Sequence, residues 1–345
     1  MENNKIVYCE FAFLKEFSRE CINRSQGLCQ SREELDSVWD IMYLLYNSEL
    51  CLDIPREKLG EEIKDDPILK KLGKSHPIRS SLDFPNLNII NDNVDLNFLN
   101  SIFMTVKNRR ERKELSSKFG IIVIGKEDIL NFHEVYRPND IPISKGEESC
   151  WGKISFSNLC ISNAIIIEDN YLLSGNDTKR IKNNLVPLLD ILLPYATIVQ
   201  YHISIYTCEI FGNEKATCKL IKDEITQIRP ALEFKLCVYK IRKDSQGRFH
   251  DRNIFTNNLH LDCSGGFDLF DDKGSATKTT TIRYAYPYFI VDKEGNSSKK
   301  NIYLNYIHDI IEIEALDHCY NIDYWGEESR QNRLIDYIKG EKEEE

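Results

Sequence analysis

Eleven cysteines are spread over 345 residues, yet no two form a Cys-x-x-Cys pair and their number is odd. That excludes a zinc ribbon and argues against a disulfide framework. Cys9 in "IVYCEF" and Cys237 in "FKLCVYK" lie inside apolar runs, where a free thiol serves as a small core residue. Also missing are a run of about eighteen apolar residues and a positively charged opening followed by an apolar stretch. The expectation is a chain kept in a reducing cytoplasm, with no transmembrane segment. Nor is there an excess of positive charge: the formal net charge is −10, so no global field draws in nucleic acid or anionic membrane, and any such binding must use local patches. No internal repeat is visible.

What is present is the composition of a folded protein, 41% hydrophobic and 29% charged, at a length that exceeds one ordinary core. Two α/β domains are expected. "KIVYCEFAFLKEF" opens as a doubly buried strand and changes to helical spacing. Ser31 and Glu34 read as a capping box for a helix whose stripe is Leu35, Val38, Trp39, Met42 and Leu45. "ELCLDIP" is a second strand, residues 56–93 read as loops with one short helix, "DLNFLNSIF" has helical intervals, "KNRRERKELSSKF" is a basic helix and "GIIVIGKED" a further strand. This alternation predicts a parallel sheet over residues 1–135. The polar stretch 136–149, with Pro138 and Pro142, is the expected linker. Residues 150–330 read as a second α/β domain, with "ATIVQYHISIYTCEI" and "LEFKLCVYKI" as strands. The run "KGEKEEE" ends an expected charged tail over 331–345.

The most distinctive stretch is "GRFHDRNIFTNNLHLDCSGGFDLFDDKG" at 247–274. In an extended segment residues two apart share a face, so His250 and Arg252 would stand side by side. An imidazole that attacks or protonates, next to a guanidinium that binds two oxygens, suits a phosphate ester. Asp251 would face the other way, towards a structural partner. The elements "FHDRNI", "TNN", "LHLDC" and "SGGFDLFD" resemble the phospholipase-D-like domain at the C-terminus of MIT-domain-containing proteins. The resemblance implies a domain that recognises phosphate-bearing ligands and pairs with a second copy. Hydrolysis in that class needs two histidines facing each other. Only His250 has Lys or Arg two positions on, so activity as a phosphodiesterase would need a homodimer. Arg in place of Lys favours grip over chemistry.

In a parallel sheet, ligands collect at the carboxyl ends of the strands. Glu10, Asp53 and Glu127 with Asp128 fall at such ends, and Asp92 and Asp95 precede a helix. Carboxylates gathered there would hold Mg2+ or Mn2+, with Glu10, Asp53 and Asp128 as ligands, and activate water on a phosphodiester. Arg109, Arg110 and Arg112, with Lys107 and Lys113, would meet a nucleic-acid backbone. This pattern resembles a PIN-type nuclease domain. Together the two resemblances imply a metal-dependent nuclease joined to a phosphate-recognising, dimerising domain, as in an antiviral defence or toxin-type effector. The alternatives are a non-catalytic scaffold that binds nucleic acid or a protein partner, and a dimeric phosphodiesterase that uses His250.

Overall fold

A computed structural model describes residues 6–27, 31–74, 78–80, 96–136, 139–148, 151–154, 161–174, 178–210, 212–241, 252–286, 323–326 and 331–336. The chain is α/β and divides into two compact units. The first holds the described residues up to 117 and 121–136; the second holds 118–120 and those from 139 onward.

The first unit runs β1 (Ile6–Cys9), α1 (Phe11–Ser25), α2 (Arg32–Tyr46), β2 (Glu49–Leu52), α3 (Arg56–Asp65), α4 (Pro67–Leu72), β3 (Ile78–Ser80), α5 (Leu96–Leu99), β4 (Ile102–Thr105), α6 (Arg109–Phe119), β5 (Ile122–Gly125) and α7 (Phe132–Tyr136). Its five strands are all parallel, in the order β3-β2-β1-β4-β5. The chain therefore winds outward from β1 to β3, then crosses back to β4. The gap between β1 and β4 is the topological switch point of the sheet. Val7, Cys9, Ile102, Met104 and Ile124 are fully buried, as expected for strands covered on both faces.

Three local expectations are corrected. "DLNFLNSIF" is not one helix: α5 ends at Leu99, and Ile102–Thr105 is the central strand β4. Ser101 closes that turn by donating its hydroxyl to the Phe98 carbonyl at 2.7 Å. A short apolar run satisfies both periods, and burial between β1 and β5 decides for the strand. The described residues of 56–80 carry two helices and a strand, in place of the expected loops with one short helix. Asp66 caps α4 by accepting from Ile68 N at 2.8 Å and Leu69 N at 3.0 Å, with Pro67 at the first helical position. The capping role of Ser31 holds, since its hydroxyl accepts from Glu34 N at 3.3 Å. The buried stripe of α2, however, is Val38, Ile41, Leu44 and Leu45; Leu35 and Trp39 are 38% and 59% exposed. Its apolar residues cover more than one face, and spacing alone does not choose between two overlapping stripes.

The second unit runs β6 (Asn139–Ile143), β7 (Ala164–Glu168), α8 (Lys179–Asn183), α9 (Leu185–Leu192), β8 (Tyr201–Thr207), α10 (Glu214–Ile228), β9 (Phe234–Lys240), β10 (Asn253–Thr256), β11 (His260–Cys263), β12 (Thr280–Ala285) and β13 (Asp323–Gly326). They form a mixed eight-stranded sheet in the order β13-β9-β8-β7-β10-β11-β12-β6. β7, β8 and β9 are mutually parallel; the other pairings are antiparallel. The expected "TNN" hairpin joins β10 to β11.

Two boundary expectations change. The stretch expected as a linker contributes β6, whose Ile141 pairs with Ile282. Part of the expected tail is core: Asn332 and Arg333 are 0% and 6% exposed. Asn332 donates to the Ile165 carbonyl and the Ser204 hydroxyl, and Arg333 donates to the Asn163 and Gln200 carbonyls. The Asn163 and Gln200 carbonyls lie just before β7 and β8, and one guanidinium fork donates to both.

Candidate functional site

The expected acidic site lies at the C-terminal edge of the parallel sheet. Glu10, immediately after β1, turns its carboxylate across the switch point and accepts from Val106 N, just beyond β4, at 2.8 Å. Asp53, just beyond β2, accepts from Phe11 N at the start of α1 at 2.6 Å. Both act electrostatically on the buried Cys9 thiol, whose pKa is raised by burial first and then by Asp53 and Glu10. The fold thus gathers these two carboxylates at one strand end.

Asp128 does not join them. It accepts from Gly125 N at 2.7 Å and lies 3.2 Å from Arg112 Nη2. Arg112 Nη1 lies 2.6 Å from Glu127 Oε2 and donates to the Lys107 carbonyl at 2.8 Å. Its guanidinium packs against Gly125, where an added Cβ would stand 2.2 Å from Cζ. Arg112 is therefore a buried tie between the loops after β4 and β5, not part of an exposed basic stripe. Arg109, Arg110 and Lys113 are exposed on α6. Asp92, Asp95, His250 and Asp251 lie outside the described residues.

Each carboxylate at this edge already accepts a backbone amide, and Asp128 is also neutralised by a guanidinium. Among the described residues no group of three His, Cys, Asp or Glu side chains is placed to hold a metal ion. Glu10, Asp53 and Asp128 therefore do not fit the expected Mg2+ or Mn2+ centre as a set.

A second constellation stands in the mixed sheet, where Arg252 and the "GGFD" turn meet the end of β7. Arg252, just before β10, lies across from the end of β7 because Asn253 pairs with Glu168. Its Nη1 donates to the Ser264 carbonyl at 3.1 Å, while its Nε is buried and makes no hydrogen bond. Gly266 adopts φ +80°; a Cβ there would stand 3.0 Å from Asp268 Oδ1, 3.1 Å from Asp169 Oδ2 and 3.4 Å from Arg252 Nε. Only glycine adopts this backbone without strain while leaving these three polar groups in contact range of one point.

Asp169 is 1% exposed. It accepts from Phe267 N at 2.6 Å and from Tyr171 N at 2.9 Å. Burial raises its pKa; those two amides and Arg252 pull the other way, and Asp268 adds to the rise. Asp268 lies 3.0 Å from Lys278 Nζ and 3.6 Å from Arg180 Nη2. Asp169, Asp268, Arg180 and Lys278 were missed in the sequence. Asp169 carried a usable signal, an acid directly after the apolar run "AIIIE". Arg180 and Lys278 carried none, because one comes from α8 and the other from the segment before β12, and only the fold sets them beside Asp268.

No protein-family model matches this chain, and no curated protein matches it. Among the described residues no helix is long and apolar enough to cross a membrane, and the seven described cysteines are free thiols.

Proposed function

We propose that this protein recognises a phosphate-bearing ligand through its second unit, read as a phospholipase-D-like domain that pairs with a second copy. The first unit, read as PIN-like, serves recognition rather than hydrolysis. The observation that carries the reading is Arg252, a guanidinium held by one carbonyl beside a left-handed glycine turn, whose buried Nε makes no hydrogen bond. Guanidinium groups bind phosphate oxygens through charge-assisted hydrogen bonds. Calorimetric titration of the full chain with inorganic phosphate and with a short single-stranded RNA tests it. Binding is expected to be lost in Arg252→Gln; binding that survives the substitution, or none in the unaltered protein, refutes it.

A second reading, a nuclease, is favoured by Glu10 and Asp53 sharing the strand end at the switch point, with exposed Arg109 and Arg110 at the start of the helix after β4. It predicts cleavage of single-stranded RNA or DNA in Mg2+ or Mn2+ that disappears in Glu10→Gln and Asp53→Asn. Cleavage unchanged in both variants rules out these carboxylates as the catalytic pair.

A further inference from the structure

The corner around Gly266 holds more cationic than anionic groups, and how they are arranged narrows the ligand; the inference rests on the phosphate reading above. Arg180, Arg252 and Lys278 face Asp268 and Asp169. Asp169 is buried beneath Phe267 N and Tyr171 N. Asp268 is the carboxylate that meets solvent-facing cations: its side chain is 17% exposed, against 33% for Arg180 and 37% for Lys278. Lys278 hydrogen-bonds Asp268 at 3.0 Å, whereas Arg180 approaches it only to 3.6 Å. Arg252 keeps its buried Nε without an acceptor, and an unpartnered buried donor costs free energy that a bound oxygen would recover.

A carboxylate brings one negative charge and two oxygens to this corner. A phosphate monoester brings close to two charges and three terminal oxygens, whereas a diester brings one charge and two. We propose that this corner binds a phosphate monoester dianion, and that Asp268 is its internal stand-in, holding Arg180 and Lys278 until the ligand displaces it. The monoester has an oxygen for each of the three cations; the diester cannot supply the third and competes poorly with a tethered carboxylate.

The test titrates the full chain by calorimetry with methyl phosphate and with dimethyl phosphate at matched ionic strength. Methyl phosphate is expected to bind about tenfold more tightly. Lys278→Gln and Arg180→Gln should each weaken methyl phosphate by about tenfold with little effect on the diester. Asp268→Asn, which removes the internal competitor while keeping its shape, should tighten methyl phosphate several-fold. Affinity unchanged or weaker in folded Asp268→Asn overturns the proposal. Where that variant does not fold, the two cation variants decide, and equal losses for both esters overturn it. Equal binding of both esters that still requires Arg252 leaves phosphate recognition standing and removes the monoester assignment. Binding of neither removes both.

Discussion

Lowering the pH should loosen the second unit through a single histidine. His202, on β8, is 8% exposed, and its Nδ1 accepts from Arg333 N at 3.1 Å, which fixes the ring as the neutral form with that nitrogen unprotonated. Burial, then the Arg333 and Lys235 cations, push its pKa from 6.5 down to about 3. Those cations face it from the C-terminal segment and from β9. A folded pKa below the unfolded one means that the unfolded chain takes up the proton first. The contribution of neutral His202 is therefore fully present above pH 6.5 and is lost progressively as the pH falls towards 3. Between pH 7 and pH 5 the loss amounts to about 2 kcal/mol, from 1.36 kcal/mol per pKa unit.

The comparison is with His202→Asn, whose side-chain oxygen can accept from Arg333 N but does not titrate. Urea unfolding of both proteins at pH 7 and pH 5 should show the unaltered protein losing about 2 kcal/mol more than the variant across that interval. All other titrating groups are common to the two and cancel. Identical pH dependence in both proteins would show that His202 is not held neutral by this contact and that the C-terminal segment is not docked on β8 as described.

Arg112→Met should destabilise the first unit by about 1–3 kcal/mol, because two charge-assisted contacts and the tie to the Lys107 carbonyl go together. Glu127→Gln should cost under about 1 kcal/mol, since Glu127 is half exposed and its pairing is screened; comparable losses in the two variants would contradict a central role for the guanidinium. On α2, Ile41→Ala should cost about 2–5 kcal/mol while Trp39→Ser stays within about 0.5 kcal/mol. The reverse ranking in denaturant titrations would reinstate the stripe through Trp39. Gly266→Ala should lower the unfolding midpoint by an amount equivalent to about 1–2 kcal/mol through its positive φ and also weaken phosphate binding; a variant with unaltered affinity would separate the turn from the ligand corner.

The parts of this fold that could be read from sequence are those where one local signal dominates. The strands β1, β5 and β7 are continuous apolar runs ended by charge, and the start of α2 is set by the Ser31 hydroxyl, so burial and capping act where the residues stand. What could not be read depends on partners distant in sequence. Nothing within "SIFMT" tells strand from helix; its place between β1 and β5 does. Nothing near Arg333 announces burial, because the carbonyls it satisfies belong to Asn163 and Gln200. Arg112 read as one of a run of basic residues, and only the fold of the loop after β5 separates it from Arg109 and Arg110 by bringing up Glu127 and Asp128.

The same dependence on partners explains why acids at strand ends differ so much in what they offer a ligand. Glu10 and Asp169 both follow a parallel strand and both accept backbone amides. Glu10 is half-buried and accepts from Val106 N, so it ties the segments after β1 and β4 together across the switch point. Asp169 is sealed in, and burial raises its pKa against the pull of two amide bonds and Arg252. A strand-end carboxylate that is buried and tied to backbone amides is committed within the protein, and on the proposed reading a ligand meets the cations beside it instead. The switch point of the first unit, with Glu10 half-buried and Asp53 exposed, lacks that burial.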